Sequence, residues 1–508
     1  MIKINMMRNI VAILCLMFYG SIEGQQNTLV KNQLLPAIED MRSFISLPND
    51  ANYSNDIDKN ILWLMKEFSK RDFETKLVPT DGLPLFYAEM NAAEKNVPTM
   101  LIYMHFDGQP VDPSKWDQAN PYQLALKEHD GSNWREIPWS NLKNEIDPDW
   151  RLFGRSTSDD KGPIVLFLHA MDMMKAAKKS LSYNIKVVLD PEEEKGSKHL
   201  PKAVALNREL FQADLLLISD GPVHASLLPT IVFGCRGITS MSLTTYGPIR
   251  PQHSGHFGNY APNPALQLAQ LLASMKDDDG KVVIDGFYDG IQMNQKLREV
   301  LAEVPDEREK MNATLGIMEP DKVGSTYQES IQYPSLNIRG MSSAWVGKEV
   351  RTIVPATAVA EIDVRLVVES DGDRLKELIR DHIRSRGFRI TNEAPDVIDR
   401  RSDSRWILVK ERGVMDAFRT DMDHPYGQWL TKILEDTFEE KVVRIRTMGG
   451  TVPIAPFVNT LEIPAFIVPL VNPDNNQHSP NENIRIAQVA YGLQAFYSIL
   501  TSEPPKVH

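Results

Sequence analysis

From Leu29 to Asp220 apolar runs alternate with amphipathic stretches, and acidic or histidine residues recur where the apolar runs end. This pattern constrains the fold more than anything else in the chain. Leu29–Leu47 has helical spacing, and Asn60–Phe68 continues it. Phe73–Pro79 and Leu85–Met90 read as strands, and Thr99–Met104 is a nearly unbroken apolar strand. Pro163–Ala177 places Ile164, Phe167, Leu168, Met171 and Met174 on one helical face. Ile185–Leu189 and Leu215–Ile218 are two further buried strands. Strands alternating with helices predict an α/β layer architecture with a covered sheet.

The middle of the chain has a different rhythm. Gly237–Thr245, Ser335–Gly340 and Val359–Val367 alternate like half-exposed strands. In the last, Glu361, Asp363 and Arg365 share one face while Ala360, Ile362, Val364 and Leu366 share the other. Amphipathic helices are expected at Pro264–Met275 and Arg374–Ser385. These elements read as an inserted α+β module. The α/β pattern resumes near His424 and closes with a strand at Ala465–Leu470 and a helix at Ile484–Leu500. The expected division is a signal peptide over 1–24, a catalytic domain over 25–235 and 413–508, and the inserted module over 236–412.

The 508 residues, 42% hydrophobic and 24% charged, can bury a sizeable core. A formal charge of −12 argues against a nucleic-acid partner, which would need Lys and Arg against phosphates. Lys3 and Arg8 precede an apolar run, Ile10–Gly20, and small residues Ser21 and Gly24 lead into polar Gln25. That order predicts a signal peptide and a secreted or periplasmic enzyme, with no stable membrane anchor, because the apolar run is short for a span. Removing it would leave Cys235 alone, so no intrachain disulfide is expected and Cys235 reads as a small core residue.

His105 and Asp107 follow one strand, Asp159 and Asp160 precede a helix, and Glu192, Glu193 and Glu194 follow another strand. Asp220 and His478 also follow strands. Each group taken singly has an ordinary explanation: a surface hydrogen bond, a helix cap or a solvated turn. Five of them at successive strand ends point to one site, since open α/β sheets place ligand sites there. Imidazole and carboxylate donors without thiolate suit zinc, with manganese or cobalt as alternatives.

The sequence resembles the dizinc metallopeptidase family that includes carnosinases, nonspecific dipeptidase, glutamate carboxypeptidases, aminoacylase and succinyl-diaminopimelate desuccinylase. The matching stretches are Met104–Asp112, Gly154-Arg155 with Ser158–Pro163, Glu193–Ser197, Ser219-Asp220, His253–Gly255, Thr352–Pro355, Arg365–Val367, Gly449–Thr451 and Gln477–Ser479, in the family's order. The resemblance implies a zinc-exopeptidase-like catalytic domain with a central mixed sheet, plus an inserted lid and dimerisation domain. It implies two divalent metal ions, most simply Zn2+. His105 and Asp220 would hold one, Glu194 and His478 the other, with Asp159 bridging. Asp107 would orient His105, and Glu193 would be the general base acting on water held between the ions. A cis peptide after Asp159 is also implied. In the inserted domain His253 would act across a homodimer interface. Arg365 and Thr352 would grip substrate, with Asn263, Gly450 and Thr451 as further pocket residues; Arg365 also has a structural alternative, an ion pair with Glu361 or Asp363.

The activity so implied is hydrolysis of dipeptides or short peptides. Met448 stands where the dipeptidase branch commonly carries an acid that meets a substrate amino group. An N-acyl amino-acid amidohydrolase using the same site is therefore the alternative, and a non-catalytic binding protein on this fold is a more distant one. Ser156 replaces the glycine usual after Gly154-Arg155, and would be strained if the backbone there needs positive φ.

Overall fold

The computed structural model describes residues 26–143 and 146–506, so the signal reading over 1–24 lies outside the described residues. The chain forms two compact units. The first contains the residues up to Phe233 together with Thr420–Arg444 and Pro456 onward; the second contains Gly234–Arg419 and Ile445–Ala455. Among the described residues no helix is long and apolar enough to cross a membrane.

The first unit is built on an eight-stranded mixed sheet. Its order is Glu74–Val78, Leu85–Met90, Asn184–Asp190, Thr99–His105, Leu215–Ile218, Ala465–Ile467, Thr230–Val232, Val443–Ile445. Asn184–Asp190, Thr99–His105, Leu215–Ile218 and Ala465–Ile467 run parallel. Thr99–His105 lies in the middle of this group and is buried from Met100 onward, which explains its unbroken apolar sequence. Helices Lys161–Ala176 and Ile486–Thr501 pack together over the sheet, joined by Leu166, Phe167, Val489 and Phe496 in one apolar core. Each such side chain, fully buried, stabilises the fold by about 1.5–3 kcal/mol.

The helix expected at Asn60–Phe68 starts earlier, at Ser54, because Ile57 extends the i, i+4 stripe of Ile61, Leu64 and Phe68. A smaller antiparallel sheet, ordered Asn483–Arg485, Arg151–Phe153, Ala125–His129, Trp134–Glu136, was not expected. It pairs Asn483 with Phe153, which sets the loop after residue 153 beside the loop that follows His478.

The second unit has a five-stranded sheet, ordered Ser335–Ser342, Thr357–Leu366, Gly237–Tyr246, Trp406–Glu411, Arg389–Thr391. The alternation over Thr357–Leu366 is as expected: Ala358, Ala360, Ile362, Val364 and Leu366 are buried. Asp363 is buried too, and accepts a hydrogen bond from Asn337 Nδ2 at 2.9 Å. Helices Pro264–Ala273 and Gly372–Ser385 supply Leu268, Leu272, Leu375 and Ile379 to the core of this unit. Cys235 is buried here and forms no disulfide.

Candidate metal centre

Parallel pairing brings three strand ends together. His105 is the last residue of its strand and lies opposite Asp190; Phe106 N donates to Asp190 O at 3.0 Å, and Ser219 N to Tyr103 O at 3.2 Å. The loop Phe106–Gly108, the turn Glu193–Lys195 and Asp220 therefore share one edge of the sheet.

Asp107 is the brace of this edge. Its Oδ1 lies 3.3 Å from His105 Nδ1 and accepts from Glu193 N at 3.1 Å, while Oδ2 accepts from Glu194 N at 3.1 Å. One buried carboxylate thus fixes the imidazole, leaving Nε2 to face the site, and fixes the backbone that presents two glutamates. Asp159 Oδ1 lies 2.8 Å from His105 Nε2. His478 Nε2 lies 3.1 Å from Asp159 Oδ2 and 3.2 Å from Glu194 Oε2. Gln109 Nε2 donates to Glu194 Oε2 at 2.7 Å. The Asp159–Asp160 peptide is cis, as the resemblance implied.

Two groups that could each hold a metal ion share Asp159: His105, Asp159 and Asp220, and Asp159, Glu194 and His478, with the donor atoms of each group within 4.8 Å of one another. The chemistry of the set fits divalent cations. Asp159 Oδ2 is buried with no aligned donor, and so is Asp160 Oδ1. Burial, then the neighbouring carboxylates, push Asp220 up to about 6 and Glu194 up to about 7. Glu193 is raised well above the carboxylate range, by burial first and then by Asp220, Asp159 and Glu194. His105 is raised against the effect of its own burial by its bonds to Asp107 and Asp159. Carboxylates this crowded lack positive charge, and bound cations supply it.

Sequence reasoning missed the residue that holds Asp159 in place. Glu482 is fully buried. Its Oε1 accepts from Ser158 N and Oγ, both at 2.9 Å, and from Asp159 N at 3.1 Å. Its Oε2 accepts from Ser156 N at 2.9 Å and from Arg155 Nη1 at 2.7 Å. A lone glutamate in an Asn-rich loop carries no pattern, and its partners are more than 320 positions away. Asn49 was missed for the same reason; its Nδ2 donates to Phe106 O at 2.8 Å and to Ser156 Oγ at 2.9 Å, tying the two loops together. Lys161, in the Asp-Asp-Lys-Gly motif, is buried and donates to the carbonyls of Phe44 and Leu47.

The remaining expected site residues belong to the second unit. His253 and Thr352 are brought together: His253 pairs with Ile353, and Ser254 N donates to Thr352 O at 3.1 Å. His253 Nδ1 accepts from Gly255 N at 3.0 Å. Arg365 Nη1 donates to Thr451 Oγ1 at 2.7 Å, whereas its Nε is 3.9 Å from Asp363. The guanidinium is thus only weakly engaged by a carboxylate. Asn263 Oδ1 caps helix Pro264–Ala273, accepting from Ala265 N, and Gly450 is exposed.

Fold and site together define a metal-dependent hydrolase of the peptidase type. Residues 101–502 match Peptidase family M20/M25/M40, and the chain belongs to that family. Among its relatives, the Cys-Gly metallodipeptidase dug1 of Schizosaccharomyces pombe is 24% identical over 408 residues, 78% of each chain. The human Beta-Ala-His dipeptidase is 25% identical over 423 residues, 81% of this chain and 76% of the relative. Among solved structures, the M20 family metallo-carboxypeptidase Sso-CP2 of Sulfolobus solfataricus superposes with a TM-score of 0.75 at 25% identity, covering 92% of this chain and 98% of that one. The expected α/β fold with a central mixed sheet is the observed one. The expectation of a secreted or periplasmic enzyme is corrected: the kinship with the fungal Cys-Gly metallodipeptidases points away from export, and that expectation is withdrawn.

Proposed function

We propose that the chain hydrolyses dipeptides or short peptides with a free carboxylate end, using Glu193 as general base. One observation carries this reading: Asp107 binds the backbone of Glu193 and Glu194 while orienting His105, so the base is held beside both ligand sets. Two divalent ions, zinc by the character of the donors, would be held by His105 and Asp220, by Glu194 and His478, and by Asp159 between them; they would acidify water and stabilise negative charge on the scissile carbonyl oxygen. Glu193 takes the proton from the attacking water and delivers it to the leaving amine.

The second unit acts in this reading as lid and dimerisation domain. His253 of one protomer reaches the site of its partner and stabilises the oxyanion, while Arg365, held by Thr451, receives the substrate carboxylate. Thr352, Asn263 and Gly450 line the same pocket.

The test is Glu193→Gln assayed on Cys-Gly and β-Ala-His. Turnover falls about 10²–10⁴-fold, the range for loss of a general base, with metal content retained. Turnover near that of the parent enzyme would reject Glu193 as the base.

Met448 favours a second reading. It stands at the amino-end position, and its backbone is engaged with Gly234 and Arg236, so no acid there meets a substrate ammonium. An N-acyl amino-acid amidohydrolase would use the same metals and base. Rates on free dipeptides and on their N-acetylated forms separate the two.

A further inference from the structure

The second unit contains a cavity of about 850 Å³ that the hydrolytic chemistry does not use. Its wall is divided in character. Val282, Met311, Leu315 and Ile317 give it an apolar side, on which Leu315 and Ile317 remain 63% and 40% exposed. Arg236 gives it a charged side, although that residue is only 7% exposed.

Arg236 differs from three other basic groups of the wall, and from Arg308, which is exposed, in being buried. Lys276 lies 3.6 Å from Asp321, Arg298 pairs with Glu329, and Lys322 lies 2.8 Å from Asp279. Among the described residues Arg236 has no such carboxylate. Its Nη2 donates to Tyr333 O at 2.7 Å and to Ser335 Oγ at 3.1 Å, which locks the guanidinium plane. Its Nε is buried with no partner. Burial, followed by the charge of Arg365, lowers it to about 10, so it remains cationic at neutral pH. A buried, oriented cation without a carboxylate partner is costly unless something anionic meets it, and a planar guanidinium matches a carboxylate.

We propose that this cavity binds an organic monocarboxylate, its carboxylate on Arg236 and its apolar remainder against Met311, Leu315 and Ile317. Inorganic phosphate suits the site less well. It would leave the apolar side uncovered. The inference is independent of the hydrolytic reading, because it uses no residue of the metal centre.

A diazirine-bearing hexanoate provides the test, photolysed with the full-length metal-loaded protein and followed by peptide mapping. The expected label falls between residues 282 and 336. Excess hexanoate suppresses it and excess hexanamide does not, since the amide keeps the apolar body without the charge. Arg236→Gln lowers the label about tenfold or more, the scale of a lost charged hydrogen bond. Met311→Trp, which leaves Arg236 in place and fills the cavity, lowers it comparably. Should Arg236→Gln lose its thermal transition, the Met311→Trp and hexanamide arms decide. Label confined to residues 105–220 or the segment around 478, equal suppression by hexanamide, or label unchanged in Met311→Trp overturns the proposal.

Discussion

The two units hold most of their candidate functional side chains in opposite ways, exposed His478 being the exception in the first. In the first, His105, Asp107 and Asp159 are buried, and each is fixed by at least one other buried polar group. In the second, His253 and Gly450 are exposed, and Arg365 is held by a single hydroxyl. The candidate metal ligands sit at strand ends and on cross-braced loops, whereas the candidate recognition groups ride on turns and a sheet face. Substitutions in the first unit should therefore strike stability and metal binding together. Those in the second should alter substrate affinity and leave the fold intact.

The largest effect is expected at Glu482. Glu482→Ala leaves Arg155, only 3% exposed, without its partner, and strips the backbone donors of Ser156, Ser158 and Asp159. Breaking a buried pair in this way costs about 3–5 kcal/mol. Calorimetry should show the loss with and without metal, and metal content should fall. A variant with unchanged melting would mean that the loop is held by something other than Glu482. Asp107→Asn ranks next. The amide keeps the shape but cannot accept at both ends while also fixing the imidazole, so metal affinity should fall about 10–100-fold. Equilibrium dialysis measures this, and an unaltered affinity would break the distinction between the braced unit and the loose one.

The braces also mark where sequence reasoning stopped. Strand-end residues were legible because Met100–Met104 and Leu215–Ile218 are unbroken apolar runs whose ends are visible in one dimension. Thr230–Val232 and Val443–Ile445 were not, because three residues carry no period and their pairing is set by distant neighbours. Glu482 and Asn49 act on loops far away in the chain, so no local spacing announces them. Residues 445–455 pack with the second unit although their neighbours on both sides pack with the first. Gly449–Thr451 could be picked out as a motif, but the contact of Thr451 with Arg365 depends on that return crossing.

Thr451→Val probes the looser unit. It removes the hydroxyl that receives Arg365 Nη1, a bond worth about 1 kcal/mol. KM should rise about fivefold on that scale, with kcat and melting temperature little changed. A fall in melting temperature without a KM change would make the pair structural, and the contrast between the units would weaken. Smaller still is the acid response of Glu369. Its own burial opposes ionisation, but Arg419 at 2.7 Å and the more distant Arg446 hold it below the ordinary carboxylate value. A depressed carboxylate stabilises the fold above its unfolded pKa of 4.5, and that contribution disappears as pH falls through the lower folded value. Glu369→Gln should therefore flatten the part of the stability profile below about pH 4.5, leaving neutral stability reduced by a constant amount. An unchanged acid slope would show that the pair is broken in solution.

The finest test lies where the two loops of the metal centre touch. Ser156 has φ of 65°, a left-handed conformation that costs a non-glycine residue about 1–2 kcal/mol. Its hydroxyl accepts from Asn49 Nδ2 inside the protein, which offsets about 1 kcal/mol, and glycine would add freedom to the unfolded chain. Ser156→Gly should accordingly change stability by less than about 1 kcal/mol in either direction. Coupling to Gly108 gives a sharper readout. A Cβ on Gly108 would meet Ser156 Oγ at 2.5 Å and Asn49 Nδ2 at 3.0 Å. Gly108→Ala should be destabilising in the parent protein and less so in the Ser156→Gly background, where the nearer clash is gone. A double-mutant cycle in denaturant should return a coupling of about 1 kcal/mol. Strict additivity would mean that the loops give way independently, and that the bracing of the first unit is looser than its hydrogen bonds imply.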